Sequence, residues 1–270
     1  MELYNAIFYR KSIKNYSNNK IEESLMREVK QACSDITYLN EGLNIKAHLI
    51  DRGHIIHFLM GKQCRIKSPH YIILTSNKGE DYLQNIGYAG EEIILRLTSL
   101  GIGTCWVESN LKRDDIIEIV QLDEIDEDEE NIEDKIEKPY ALIAFGYPEK
   151  NEELFKDISG VYDRNEVKDI SKRTERKWYK VLKAVRLAPS IKNSQPWMFY
   201  SDKLGFHMYE KKQNKNIRDL SKISMGIALR HFDIACKHYD IDVEYKNIKA
   251  KKRVRKQYFK TIELIESIHD

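Results

Sequence analysis

The stretch "IGYAGEEIILRLTSLGIGTCW", residues 86–106, joins a long helical pattern to an abrupt stop. The pattern predicts a helix over 87–100 that ends at Gly101, followed by a strand. A dinucleotide-binding fingerprint would need its third glycine at position 106, where Trp106 stands, which excludes a Rossmann site. Gly101 and Gly103 would instead allow a tight turn that presents backbone N–H groups, or form a simple helix stop before a strand.

A weak second copy of this stretch follows later in the chain. Residues 225–245, "MGIALRHFDIACKHYDIDVEY", align with it and place Gly226 on Gly87, while residues 182–198 align with 29–45. The first copy keeps the glycines but reads "ITYLNEGLN" where the second reads "APSIKNSQPW", and the second reads "DIDVEY" where the first has the glycines. Opposite losses in two halves indicate a fused dimer that retains one composite site; chance similarity of helix–loop–strand units is the alternative.

Hydrophobic periodicity and turn residues predict alternating helices and strands. Helices are expected at 1–9, 21–35, 87–100, 112–120, 178–187 and 225–239, and strands at 44–50, 71–75, 140–145, 197–201, 205–209, 243–245 and 251–256. The strands 197–201 and 205–209 are expected to form a hairpin, with Trp197 in the core. Helices among partly antiparallel strands indicate an α+β layered fold.

Composition excludes several classes of protein. The formal net charge of the 270 residues is +2, which gives no reason to expect nucleic acid or an anionic membrane. No apolar run approaches the roughly 20 residues of a membrane helix, and the N-terminus does not resemble a signal peptide. The four scattered cysteines and eight histidines show no zinc spacing, so no metal is expected and the protein is predicted to be cytoplasmic.

Two charged runs stand out. Residues 123–137 hold ten acidic residues and one lysine, and are predicted to form a solvated loop or a flap. Residues 246–256 hold seven basic residues, and are predicted to be an exposed edge strand where charge discourages aggregation. A nucleic-acid-binding module built on this second run is a competing hypothesis that the near-neutral net charge disfavours.

Two further segments carry candidate binding residues. "RKSIKNY", residues 10–16, sets Arg10 and Ser12 where the first helix gives way to extended chain, as an anion cradle or a cation-rich helix end. "APSIKNSQPW", residues 188–197, places Asn193 and Gln195 between two prolines, where the amides could bind the edge of a heterocycle or stabilise a packed turn.

Taken together, these segments of the chain resemble the nitroreductase family of FMN-dependent oxidoreductases. The resemblance is closer to a single-chain, duplicated branch of that family. "RKSIKNY" is similar to the family's R-[RK]-S-[IV]-[RK]-x-[FY], "RLAPSIKNSQPWMFY" to its A-P-S-x-x-N-x-Q-P-W-x-F, and "ALIAFGYPEK" to its strand before "GYP". The resemblance implies a three-layer α/β/α fold with a mixed, largely antiparallel sheet, present as an internal pseudo-dimer. The halves would be residues 1–170 and 171–270, intertwined into one compact unit.

The resemblance also implies which residues bind FMN. Arg10, Ser12 and Lys11 would hold its phosphate and ribityl end, and Lys14 would lie near the pyrimidine edge. A backbone N–H within 106–108 would face flavin N5. The full implied set is Arg10, Lys11, Ser12, Lys14, Trp106, Val107, Glu108, Arg164, Pro189, Ser190, Ile191, Asn193 and Gln195. At Arg164 the chain departs from the family's R-x-P pattern, because residues 164–166 read "RNE".

No catalytic side chain is required by this chemistry. The resemblance implies that NADH or NADPH delivers a hydride to FMN, and that a nitroaromatic, a quinone or another small acceptor then takes the electrons in a ping-pong cycle. The expected partner is a small molecule, with no nucleic acid and no membrane, and the chain would act as a monomeric pseudo-dimer. A protein that stores or senses FMN without efficient turnover is the alternative.

Overall fold

The computed structural model describes residues 1–122, 132–160 and 162–265. Its chain divides into two compact units, Met1–Gly160 and Val161–Asp270, whereas the sequence had suggested a division at 170/171. Each unit contains its own sheet. No helix among the described residues is both long enough and apolar enough to span a membrane.

The first unit contains six α-helices and four strands within its described residues. In chain order they are α1 (Leu3–Tyr9), α2 (Glu23–Ser34), β1 (Ile45–Ile50), α3 (Gly53–Met60), β2 (His70–Ser76), α4 (Tyr82–Ser99), β3 (Gly103–Val107), α5 (Arg113–Ile116), α6 (Ile132–Lys135) and β4 (Lys138–Gly146). The strands form an antiparallel sheet in the order β1–β2–β4–β3.

This sheet is covered on both faces, which explains the continuous apolar sequence of β2. Tyr71 and Ile73 belong to an apolar cluster with Ile56 and Met60 of α3. Successive side chains of a strand point to opposite faces. Leu74 accordingly lies on the other face, where a Cβ added to Gly90 of α4 would collide with it.

The second unit contains three helices and five strands within its described residues. They are α7 (Val167–Ile170), β5 (Ser171–Lys172), α8 (Arg176–Val185), β6 (Trp197–Asp202), β7 (Gly205–Lys211), α9 (Arg218–His238), β8 (Val243–Lys246) and β9 (Lys256–Leu264). The sheet order is β5–β6–β7–β9–β8, antiparallel except for the short parallel pair β5–β6.

The two sheets share one topology. The order β1–β2–β4–β3 corresponds to β6–β7–β9–β8, and a long buried helix, α4 or α9, joins the second strand to the third in each. The central pairs β2–β4 and β7–β9 each contain one register shift. The shift leaves a single extra residue in the last strand, Tyr140 in β4 and Phe259 in β9.

Most predicted elements are confirmed. The hairpin β6–β7 forms in register, Trp197 is fully buried, and α4 ends before Gly101, whose φ of 79° is left-handed. The layered α+β class with largely antiparallel sheets is also confirmed. Helices α4 and α9 begin five and seven residues before their predicted starts, because their first turns are polar and lack the apolar pattern.

Three predictions are wrong. The helix expected over 112–120 covers only Arg113–Ile116. The basic run 246–256 is not a strand; its ends belong to β8 and β9, and the segment between them is a connection, since basic residues alone do not distinguish an edge strand from a loop. Of the acidic run, 123–131 lies outside the described residues, but Glu137 is buried rather than solvated, because Lys46 and His48 bind it.

An aromatic cluster forms the centre of the second unit. Phe232 of α9 packs near Trp178, Phe199 and Phe206 at ring-centroid distances of 5.5, 5.9 and 6.1 Å. All four side chains are buried. Removing one ring would leave a cavity that close-packed neighbours cannot fill.

We therefore expect Phe232→Ala to lower the free energy of unfolding by about 3–5 kcal/mol. Phe58→Ala is the matched control, since Phe58 is 85% exposed and should change stability by less than about 0.5 kcal/mol. Chemical unfolding followed by circular dichroism measures both. Equal stability of the two variants would contradict the packing described for the second unit.

Candidate functional site

The segment after α1 lies along β3. The Ile13 N–H donates to the Thr104 carbonyl at 2.9 Å, and Ser12 forms a parallel bridge with Thr104. A Cβ on Gly103 would approach the Ile13 side chain to 2.7 Å, so this contact requires glycine. Gly101 supplies the left-handed turn and Gly103 the close approach that places residues 10–14 beside β3.

Arg10 is buried, with 5% of its surface exposed. Its Nη1 lies 3.4 Å from Ser12 Oγ, and its Nε lies 3.9 Å from Glu91 Oε1 of α4. The Nε has no hydrogen-bond partner. The guanidinium therefore contacts one hydroxyl and one carboxylate, and some of its N–H groups remain available as hydrogen-bond donors.

Glu91 links this arginine to the end of β3. It is fully buried, and its Oε2 accepts a hydrogen bond of 2.8 Å from Trp106 Nε1. Gly90 makes room for the Trp106 ring, which a Cβ at that position would strike. Beyond the tryptophan, Val107 is buried opposite Leu142 and Glu108 is exposed.

Lys11 and Lys14 lie at the surface of the same segment, Lys11 half-buried and Lys14 exposed. The backbone N–H groups of Lys14 and Asn15 donate to the Glu152 carboxylate at 3.3 and 3.1 Å. Burial raises the pKa of the nearby Cys105 thiol, and the positive charges of Arg10 and Lys14 act against that rise. The segment therefore has a fixed backbone and a net positive side-chain face.

The loop 189–195 of the second unit has unusual backbone geometry. Lys192, Asn193 and Gln195 have φ values of 48°, 56° and 42°, in the left-handed region that residues other than glycine seldom occupy. Ser190 stabilises the turn, since its Oγ accepts the Gln195 N–H at 3.0 Å and its carbonyl accepts the Asn193 N–H at 3.0 Å. Strain of this kind persists where surrounding contacts fix it, and is concentrated at functional sites.

Polar contacts with residues 163–165 fix this loop. Arg164 Nη1 donates to Asn193 Oδ1 at 2.5 Å, and Asn193 Nδ2 donates to the Asp163 carbonyl at 2.9 Å. The Asn165 N–H donates to Gln195 Oε1 at 2.7 Å. The structure thus brings together Arg164, Asn193 and Gln195, three residues implied separately by the sequence.

Arg186 of the second unit binds the same segment, residues 164–166. It donates to the Asn165 carbonyl at 2.9 Å and forms an ion pair of 2.8 Å with Glu166. Pro189 and Ile191 are half-buried, and the Ile191 N–H donates to Ser224 Oγ of α9 at 3.1 Å. The loop is therefore attached to α9 as well as to residues 163–165.

A family model described as "Putative TM nitroreductase" matches residues 2–236. The chain belongs to this nitroreductase family. No curated protein sequence matches the chain.

Solved structures with nitroreductase in their descriptions match the chain to different extents. A crystal structure of a "putative nitroreductase" from Thermotoga maritima covers 96% of this chain and 92% of its own, with 19% identity and a TM-score of 0.58. A nitroreductase with bound FMN from Bacteroides fragilis has 17% identity and a TM-score of 0.45, covering 60% of this chain and 96% of its own. An FMN-dependent nitroreductase from Clostridium difficile has 16% identity and a TM-score of 0.42, covering 56% and 91%.

In this nitroreductase each unit holds one group of the implied residues. Arg10, Lys11, Ser12, Lys14 and 106–108 lie in the first unit, and Arg164 with 189–195 lies in the second. Sequence reasoning missed Glu91, Asp163 and Arg186, which hold these groups in place. The pair "EE" at 91–92 within an otherwise apolar helical stretch was the one available signal for Glu91.

Because Glu91 is buried, the Trp106 indole N–H should contribute measurably to stability. We expect Trp106→Phe to lower the free energy of unfolding by about 1–3 kcal/mol, since a buried carboxylate oxygen loses a donor. Tyr140→Phe is the control, because the buried Tyr140 hydroxyl has no hydrogen-bond partner and its removal should cost little. Equal losses for the two variants in urea unfolding would contradict the role given to this hydrogen bond.

Proposed function

We propose that this nitroreductase is an FMN-dependent oxidoreductase that passes electrons from NADH or NADPH to a nitroaromatic, a quinone or another small acceptor. The observation that carries the proposal is the buried Arg10 guanidinium beside Ser12, with an Nε that lacks a hydrogen-bond partner, in a chain of the nitroreductase family. A buried arginine with spare donors suits a phosphate oxygen.

The first-unit residues fit the phosphate and ribityl end of FMN. Arg10 would bind phosphate oxygens through its free donors while Glu91 keeps the guanidinium in place. Ser12 would donate its hydroxyl to the same group, and the half-buried Lys11 would add a positive charge. Lys14 has no ion-pair partner among the described residues, so its ammonium would be available to stabilise negative charge on a reduced ring.

The second-unit loop fits the edge of a flat heterocycle. Asn193 and Gln195 already hydrogen-bond to residues 163–165, so their orientation is fixed before any ligand arrives. Pro189, Ser190 and Ile191 would cover the ring, and Arg164 would act by holding Asn193. FMN, when bound, would supply the hydride-accepting N5 position, near which a backbone N–H of 106–108 would lie.

We further propose that the chain is a fused dimer with one composite flavin site. Equal strand order and equally placed register shifts in the two sheets support this proposal. The alignment that lays Gly87 on Gly226 lays Gly103 on Asp242. Gly103 pairs with the last residue of β4, and the Asp242 carbonyl accepts the Ile265 N–H at 2.9 Å, just beyond the end of β9. The two sheets therefore agree in strand register as well as in strand order, which chance similarity does not explain well.

A fused dimer would need no second subunit, so we infer that the chain acts as a monomer. Its four cysteines are free and buried, which suits a reducing compartment such as the cytoplasm. We therefore place the proposed activity there.

Purified protein should be yellow and contain about one FMN per chain. Protein concentration from amino-acid analysis and flavin released on denaturation give this ratio, since the proposed site would hold FMN without a covalent bond. Two flavins per chain would contradict a single composite site. No flavin even after reconstitution would contradict the cofactor itself.

Residues of both units should contribute to FMN affinity. We expect Arg10→Ala and Asn193→Ala each to weaken FMN binding by about tenfold or more, because each removes a hydrogen-bonding group worth over about 1.4 kcal/mol. Arg27→Ala and Asn18→Ala, which replace exposed residues of the same types, are the controls and should bind FMN as the parent does. Loss of binding in Arg10→Ala alone would contradict a shared site.

Anaerobic NADH or NADPH should bleach the flavin absorbance of the loaded protein, and an added quinone should restore it. This outcome requires both half-reactions of a ping-pong cycle. A yellow protein that neither nucleotide bleaches would instead indicate storage or sensing of FMN, and would contradict the proposed enzyme.

A further inference from the structure

A small basic cleft in the second unit is not used by the proposed function. Its volume is about 420 Å³, within the range of small-molecule sites. It lies where β7 ends, β9 begins and α9 starts. Its cations are Lys211, Lys212, Arg218, Arg255 and Lys256.

Two of these cations lie at directly opposed positions of neighbouring strands. Lys211 of β7 pairs with Lys256 of β9, and like charges at opposed positions of antiparallel strands are destabilising. Burial lowers the pKa of Lys211, and the charge of Lys256 lowers it further, while Asp169 has a smaller opposite effect. The cleft thus contains a repulsion that Asp169 offsets only in part.

The remaining cations add to this repulsion. The Lys212 N–H donates to the Arg255 carbonyl at 2.9 Å, which holds these two residues side by side. Arg218 is the first residue of α9, where the helix dipole disfavours positive charge. Within the described ranges, none of the five cations has a carboxylate at ion-pair distance.

One acid lines the cleft, and it is engaged elsewhere. Glu210 is 8% exposed and accepts a hydrogen bond of 2.6 Å from Ser221 Oγ of α9. Burial raises the pKa of Glu210, while the hydrogen bond from Ser221 and the charges of Lys222 and Arg218 act against that rise. This carboxylate therefore connects α9 to β7, and among the five cations only Arg218 acts on its pKa.

The first unit has a buried carboxylate at the position equivalent to Lys256. Counted from the extra residue of the last strand, Glu137 stands three residues before Tyr140 and Lys256 three before Phe259. Glu137 is buried and pairs with Lys46 at 3.2 Å. At the equivalent point the second unit has a cation and no acid, as expected where the negative charge arrives with a ligand.

We propose that this cleft, lined by Lys211, Lys212, Arg218, Arg255 and Lys256, binds a small phosphate-bearing molecule. Clustered cations and a helix N-terminus are the groups that recognise phosphate oxygens. The cleft holds a phosphate ester or a pyrophosphate, not a nucleic-acid strand, because the exposed Lys249 and Lys252 of the same basic run lie outside its lining. The proposal does not rest on the flavin function.

The site adjoins the candidate flavin loop. Lys211 Nζ donates to the Gln195 carbonyl at 3.3 Å, and the Lys211 N–H donates to the Pro196 carbonyl at 2.7 Å. A ligand that binds Lys211 therefore contacts a residue fixed to that loop.

The test is calorimetric titration of inorganic pyrophosphate into the full-length protein at constant ionic strength, with and without FMN. We expect one saturable site per chain that FMN does not block. The double variant Lys256→Gln with Arg218→Gln should weaken binding by about tenfold or more. Its thermal midpoint without ligand should not fall, because a repulsion has been removed.

The matched control is Lys249→Gln with Lys252→Gln, which removes the same charge from outside the cleft and should leave the affinity within about twofold, as expected for screened charges. Absence of saturable binding would overturn the proposal, as would equal losses in the two double variants or loss of pyrophosphate binding on addition of FMN. Displacement of pyrophosphate by single-stranded DNA, with DNA binding lost in the control variant, would assign the surface to nucleic acid instead.

Discussion

The first candidate site depends on one buried group, the carboxylate of Glu91. A carboxylate without access to water is costly unless it is paired, and α4 carries this one into the interior. The Trp106 indole N–H and the Arg10 guanidinium offset part of the cost of burying this carboxylate. Their contacts hold the end of β3 and the segment after α1 close to α4. The orientation of the Arg10 guanidinium, and with it the proposed phosphate site, depends in part on this buried charge.

Much of the fold could be predicted from the sequence, because it is set by local patterns. Apolar runs gave β2 and β4, a glycine with left-handed φ marked the end of α4, and the hairpin β6–β7 followed from two short apolar runs around Gly205. The alignment of Gly87 with Gly226 matches two long buried helices in equivalent places of two similar sheets. Such features depend on periodicity and turn residues, which a single sequence displays.

The rest depends on contacts between residues distant in sequence. Nothing near Arg164 indicates that its guanidinium binds Asn193, and nothing near Glu137 indicates that Lys46 and His48 bury it. The strand β9 was missed over most of its length because charged and polar residues interrupt its apolar ones, so that no clear period-2 pattern results. The opposition of Lys211 and Lys256 likewise appears only when the register of two strands is known.

The central claim is that two sequence-distant segments, one in each unit of this nitroreductase chain, bind the same flavin. A crystal structure of the protein crystallised with FMN tests this claim most directly. The account predicts one flavin per chain, with its phosphate at Arg10 and Ser12 and its ring edge at Asn193 and Gln195. A flavin that contacts residues of only one segment, or two flavins in one chain, would contradict it.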